Sequence, residues 1–299
     1  MFRSTRTGLA ATVAVIAAVG AASAQDTAPT AITRQGTPPA AQAGLPLWEV
    51  GVAGGAGWLP DYPAAEQNHV RGLALPFIRY RGDFLRSDEK GLLRGRFIHT
   101  PDVEVDISLN GSFPTTSEEN RARAGMPDLD WLGEIGPRVE WTLARAARDV
   151  ARIQLDIPVR TVWSTNFKDR FDYRGVLFQP ELAYRHDDFL TSGVRVKAGI
   201  APTFASEELM DMFYGVDTPY VTATRAAYDA EAGYLGTRLQ LTAARALTPW
   251  VAVHGLLEAR FHQGATNSDS PLFRDDTNFA AGIGLTFTMA KSRTTVPRQ

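Results

Sequence analysis

Residues 102–109 read Asp102-Val-Glu-Val-Asp-Ile-Ser-Leu109, with every second side chain apolar and every other one ionised or hydroxylated. Successive side chains of a strand point to opposite faces, so Val103, Val105, Ile107 and Leu109 share one face and Asp102, Glu104, Asp106 and Ser108 the other. The alternation returns along most of the chain. Ile153, Leu155, Ile157 and Val159 interleave with Arg152, Gln154, Asp156 and Arg160, and Arg195 and Lys197 are set between Val194, Val196 and Ala198. Arg238 and Gln240 alternate with Leu239 and Leu241 in the same way. A single strand of this kind suits the edge of a sandwich, whereas a succession of them behind an export signal predicts a transmembrane β-barrel.

The export signal is read at the N-terminus. Arg3 and Arg6 precede an apolar run from Gly8 to Ala22, and Ala22-Ser23-Ala24 is a small-x-small site that places cleavage before Gln25. The alternative of a membrane anchor is disfavoured because the run is shorter than the roughly 18 to 20 residues that span a bilayer. No later segment has that length of continuous apolar sequence. The formal charge of −2 becomes −4 once the two signal arginines are removed, a balance that does not point to nucleic acid. The chain has no cysteine, so thiol catalysis and cysteine metal sites are excluded, and an exported chain must draw its stability from sheet and packing.

The expected organisation is a signal peptide at 1–24, a flexible periplasmic lead at 25–46 rich in Ala, Pro, Thr and Gln, an up-and-down antiparallel barrel at 47–289 and a polar tail at 290–299. Within the barrel, strands are predicted near 47–59, 69–80, 82–87, 91–98, 101–113, 131–144, 149–163, 171–185, 189–204, 228–245, 248–262 and 277–289. That is twelve, with ten as the alternative count. Parity supports the short third strand, because a single-chain bacterial barrel with both termini in the periplasm has an even strand count, and the alternation of turns then needs an inner turn around Arg81-Gly82. Short inner turns are then expected at 99–100, 145–148, 185–188 and 246–247, and outer loops at 113–130, 164–170, 205–227 and 263–276. A soluble exported β-sandwich has the same alternation with its faces reversed. Segments of 12 to 16 residues favour the membrane reading, as do aromatic residues near strand ends: Trp48, Trp58, Phe77, Tyr80, Trp131, Trp141, Trp163, Trp250 and Phe261.

More specific residues follow. Asn120-Arg-Ala-Arg-Ala-Gly-Met-Pro-Asp-Leu-Asp130, continuing into Leu132-Gly-Glu-Ile-Gly136-Pro137, resembles the MipA/OmpV family of Gram-negative outer-membrane proteins. Leu75-Pro76 running into Tyr80-Arg81-Gly82-Asp83-Phe84, the Asp61-Tyr62-Pro63 segment and Ser270-Pro271-Leu272 extend the resemblance over about 47–289. Ala64-Ala65 stand where members often have Gly-Ser, and Lys291 to Gln299 continue past Phe287 where an aromatic terminus is usual. The resemblance implies an outer-membrane barrel, and for the namesake a scaffold between a lytic transglycosylase and a bifunctional penicillin-binding protein. The expected partners are therefore outer-membrane lipid and those two enzymes, with no nucleic acid and no cofactor.

Residues with chemical potential are few. The five histidines are His69, His99, His186, His254 and His262. His254 and His262 are about 26 Å apart on an extended strand, too far to share a metal. His186-Asp187-Asp188 falls in an expected inner turn. Asp211, Asp217 and Tyr214 lie in an outer loop without a histidine nearby, and His262, Ser268 and Asp269 form the best set for a rim hydrolase. A charge ladder is read inside the barrel from Arg94, Arg96, Asp102, Glu104 and Asp106, with Arg96 set against Glu104 and Arg94 against Asp106. It either rigidifies a narrow barrel or lines a path for small charged solutes. Ser206 followed by Glu207-Glu208 predicts a short helix whose Leu209, Met212 and Phe213 seal the mouth. The leading expectation is a non-enzymatic envelope scaffold, with a narrow diffusion channel and a rim hydrolase as competitors.

Overall fold

The computed structural model describes residues 44–82, 85–88, 91–146 and 150–296, so the export signal and most of the lead fall outside the described residues. Fifteen strands are present among these: β1 (Leu45–Pro46), β2 (Trp48–Pro60), β3 (Asn68–Arg81), β4 (Leu85–Asp88), β5 (Gly91–His99), β6 (Val103–Ser112), β7 (Trp131–Ala146), β8 (Ala151–Thr165), β9 (Phe171–Phe178), β10 (Glu181–Phe189), β11 (Val194–Ala205), β12 (Gly233–Ala246), β13 (Val251–Phe261), β14 (Thr277–Lys291) and β15 (Thr295–Val296). Among the described residues one α-helix, α1 (Glu207–Tyr214), lies between β11 and β12.

All pairings are antiparallel and follow chain order from β2 to β8 and from β11 to β14. β14 then pairs with β2, Ile283 opposite Ala56. Between β8 and β11 one position is shared by β9 and β10, each bonded to both neighbours. The pairing thus returns to its start, and the thirteen strands of the sheet occupy the twelve predicted places. The interruption falls at Gln179-Pro180, where proline has no N–H to give to the ladder. No helix among the described residues is long and apolar enough to cross a membrane.

The two faces of the sheet decide between membrane barrel and sandwich. Glu49, Arg79, Asp106, Arg138, Glu140, Asp156, Glu181, Arg238 and Glu258 are buried, whereas Val52, Val70, Ile78, Val139, Val159, Leu257, Ile283 and Leu285 are exposed. A water-soluble sheet buries its apolar face. This one does the reverse, as hydrocarbon outside and polar groups inside demand. Trp48, Tyr80, Trp141 and Trp250 sit on the outer surface near the inner strand ends, and Trp58, Trp131 and Trp163 lie near the outer ends. Phe77 departs from the expected girdle: it shares the inward face with Arg79, whose guanidinium lies 5.6 Å from its ring, and packs against Gly51.

Several local expectations are corrected. His186, Asp187 and Asp188 belong to β10, and the inner turn is at residues 190–193, where Leu190, Thr191 and Gly193 have positive φ and the Asp188 carboxylate accepts from the Gly193 N–H. Residues 228–232 are loop, with Tyr228 bridged to Val216. Across β5 and β6 the backbone register sets Arg96 opposite Asp106 and His99 opposite Glu104, two residues from the expected pairing of Arg96. The turn through Thr100 to Val103 is longer than expected, with the Thr100 hydroxyl accepting from Val103 N–H, and a bulge between Arg96 and Ile98 recovers part of the shift. The side chains of Arg94 and Arg96 lie outside the described residues. Finally, the tail folds back: β15 pairs with β1, Arg81 donates to the Pro46 carbonyl, and Leu47 N–H bonds Thr294 O, so both ends of the barrel chain are clasped together at its inner rim.

Candidate functional site

A buried apolar core lies at the outer mouth. Four outer connections, residues 61–67, 113–130, 206–232 and 262–276, bring Tyr62, Met126, Leu129, Leu209, Met210, Tyr214 and Leu272 into one buried cluster. The barrel wall contributes Val162, Leu177 and Leu235 from β8, β9 and β12, so the cluster reaches from one side of the mouth to the other. Helix α1 turns Leu209, Met210, Phe213 and Tyr214 into it, with Met212 only partly buried. Ser206 stands at the predicted N-cap position, yet its hydroxyl accepts from the Val176 N–H of β9 instead of capping the helix.

Polar groups pin these loops to one another. The Asp61 carboxylate, fully buried, accepts from Arg71 at 3.0 Å and Asn120 at 2.8 Å and bonds the His69 ring at 2.7 Å. Tyr62 donates to Leu272 O at 2.8 Å and Tyr214 to Pro63 O at 3.1 Å, and burial pushes both phenols far above their ordinary range. Arg123 donates to the carbonyls of Phe213 at 3.1 Å and Met212 at 3.4 Å, which close α1, and to Pro127 O at 3.4 Å. Its guanidinium is lowered by burial to about 10 and stays charged at neutral pH. Arg225 likewise clasps the Ala122, Ala124 and Tyr220 carbonyls. Each arginine answers backbone acceptors that no helix or sheet satisfies.

His262 sits at the junction. One ring nitrogen donates to Leu235 O at 2.7 Å, and the other faces the Ala64 N–H at 3.3 Å and the Asn278 side-chain oxygen at 3.2 Å. Asn278 in turn accepts from Ala64 N–H at 2.8 Å and donates to Ala65 O at 3.0 Å. Burial holds the imidazole down to about 4, so it is neutral at pH 7.

Inside the wall, charges are paired, some directly across strands and some along or diagonally between them. Arg138 and Asp106 form a two-point contact of 2.6 and 3.0 Å, Lys197 meets Glu181 at 2.6 Å, Arg260 meets Glu258 at 2.7 Å, and Arg160 spans Glu134 at 3.2 Å and Ser108 at 2.9 Å. Arg79 and Arg81 both reach Glu49, the latter at 3.1 Å. Of the predicted ladder, Glu104 and Asp106 are buried in the interior, and Asp102 bonds Arg145 at the exposed inner turn.

The sequence candidates for catalysis are not brought together. None of the hydrogen bonds of His262 goes to Ser268 or Asp269, which are exposed. Asp187 pairs with Arg152, and His186 accepts from Asp188 N–H. Tyr214 is wholly buried in the core. Among the described residues no three histidines and carboxylates stand close enough to hold a metal ion. Sequence reading gave no structural role to Arg123, Asn278 or Ala64, whose partners lie up to 214 residues away.

A ring of antiparallel strands with ion pairs inside, apolar side chains outside and aromatic residues at both ends is an outer-membrane β-barrel. The family model described as MltA-interacting protein MipA matches residues 52–289, and the chain belongs to that family. Comparison with curated proteins finds no match. Among solved structures, the NanC porin is 9% identical over 80% of this chain and 100% of its own, with a TM-score of 0.37. Pseudomonas putida OprB is 8% identical over 81% and 94%, also at 0.37. Pseudomonas aeruginosa OpdO is 8% identical over 81% and 97%, at 0.24.

Proposed function

We propose that this barrel acts as a non-enzymatic scaffold of the cell envelope, closed at its outer mouth and working through protein contacts on its periplasmic side. The observation that carries the reading is the buried loop core across the mouth, tied by Arg123, Asn278 and His262, which supports a plugged barrel over an open one. The description of the matching family as MltA-interacting supports a lytic transglycosylase as one partner; a penicillin-binding protein as the second is what the family resemblance implies. The short inner turns and the clasped ends are the surfaces available to such enzymes. The test is a pull-down of peptidoglycan enzymes with the folded barrel, paired with planar-bilayer conductance. Enzyme capture that is lost when the inner turns or the residue 25–44 lead are altered, from an electrically silent barrel, is the expected result. Steady conductance without enzyme capture favours the narrow diffusion channel, for which the ionised interior of both signs provides a lining.

A further inference from the structure

The hydrocarbon-facing wall is not uniform. Across the seam where β14 meets β2, one row of outward residues runs Ala243, Gly255, Ile283 and Ala56 on four adjacent strands. Three of the four are small, and together with Ile283, itself 64% exposed, they line a dent of about 500 Å³. Trp58, Val70 and Leu257 rise at its rim, Val70 and Leu257 being 74% and 57% exposed.

Gly255 is the informative position. Glycine inside a strand weakens it, so it needs a reason. Here the fold supplies none: φ is ordinary, and a Cβ on Gly255 would meet nothing within 4 Å. What the missing side chain preserves is room outside the protein. A glycine inside a strand often marks a site where a ligand approaches closely; Gly133 is equally free of contacts, and what sets Gly255 apart is its place in the dent.

We infer that the dent is a seat for one acyl chain of an outer-membrane lipid. It is continuous with the lipid-facing surface and is lined by apolar groups, so an acyl chain is the molecule already beside it. A second copy of the barrel fits less well. A two-fold contact places the same patch against itself, and two dents face to face leave a doubled void without contacts. A flexible chain moulds to the hollow that a second convex wall bridges.

The experiment is native mass spectrometry of the full protein extracted from outer membranes in mild detergent, then titrated with saturated phosphatidylethanolamine. Gly255→Leu fills the floor, Ala243→Leu fills it from the neighbouring strand, and Gly133→Leu, also free of contacts within 4 Å but on the distant β7, is the control. Heat-modifiable gel migration verifies folding of each. Losing the burial of two or so methylene groups weakens retention about tenfold. The expected result is that loss in both filled variants, with the control retaining lipid like the parent. Equal retention in all four proteins overturns the assignment. So does a parent protein that runs as a dimer which Gly255→Leu dissociates, since the dent is then a contact between copies.

Discussion

Asp106 and Arg138 face each other across β6 and β7 through two parallel hydrogen bonds, with Arg138 91% and Asp106 99% shielded from solvent at the side chain. A two-point carboxylate–guanidinium contact in a dry interior is strong in geometry but costly to break on one side only. Asp106→Asn or Arg138→Met alone is expected to destabilise the barrel by about 3 kcal/mol. Replacing both together recovers most of that. Urea unfolding in detergent micelles, with the double-mutant cycle completed, measures it; additive single losses contradict a coupled pair.

His262 predicts acid sensitivity of the mouth. Burial lowers its pKa from an ordinary value of 6.5 to about 4 in the folded protein. At pH above 6.5 neither state is charged at this ring and stability is at its full value. Between 6.5 and 4 the unfolded loop takes up a proton that the folded one refuses, so stability falls as pH falls and levels off below 4. The total loss is about 3 kcal/mol. Limited proteolysis of the outer loops from pH 8 to pH 4 follows the change, and His262→Gln flattens it.

Arg123→Met removes the donor that serves the carbonyls of Met212, Phe213 and Pro127. Leaving buried carbonyls unanswered costs about 2–4 kcal/mol. The loss is confined to the loops: protease cuts within 113–130 and 206–232 appear while the folded band on an unheated gel is kept. A variant in which the barrel itself unfolds contradicts this division.

Ala64 adopts φ of 60° with its side chain fully buried. A Cβ in the left-handed region costs roughly 1–2 kcal/mol, which glycine avoids. Ala64→Gly is therefore expected to stabilise the mouth by about 1 kcal/mol. A raised protease threshold for residues 61–67 and 262–276 is the readout, and a destabilised variant shows that φ is not the limiting feature.

The strands were legible because a wall between hydrocarbon and an ionised interior enforces a two-residue period on nearly every segment. The alternation alone did not give the sign of the faces, since the pattern is the same for a sandwich; segment length and end aromatics favoured the membrane, and the burial of Glu49, Arg138 and Asp156 agrees. The turn after β10 was misplaced because His186-Asp187-Asp188 has the polarity of a bend, whereas Thr191-Ser192-Gly193 carries its backbone chemistry. Helix α1 was readable from its cap and acids, but its buried face, Met210 and Tyr214 included, is set by loops distant in sequence. The same holds for the mouth as a whole. Tyr62 and Leu272, 210 residues apart, carry no local signal of their bond, although the segments containing them belong to the stretches that resemble the family.

The clasp of β1 with β15 makes the polypeptide almost circular, with Leu45 aligned to Val296. A short linker is thus enough to splice these two positions, and the break can be moved to an outer loop such as residues 166–170. A permuted barrel of this kind keeps every wall contact while presenting its new ends to the exterior of the cell, converting a barrel whose ends meet at its inner rim into a display platform.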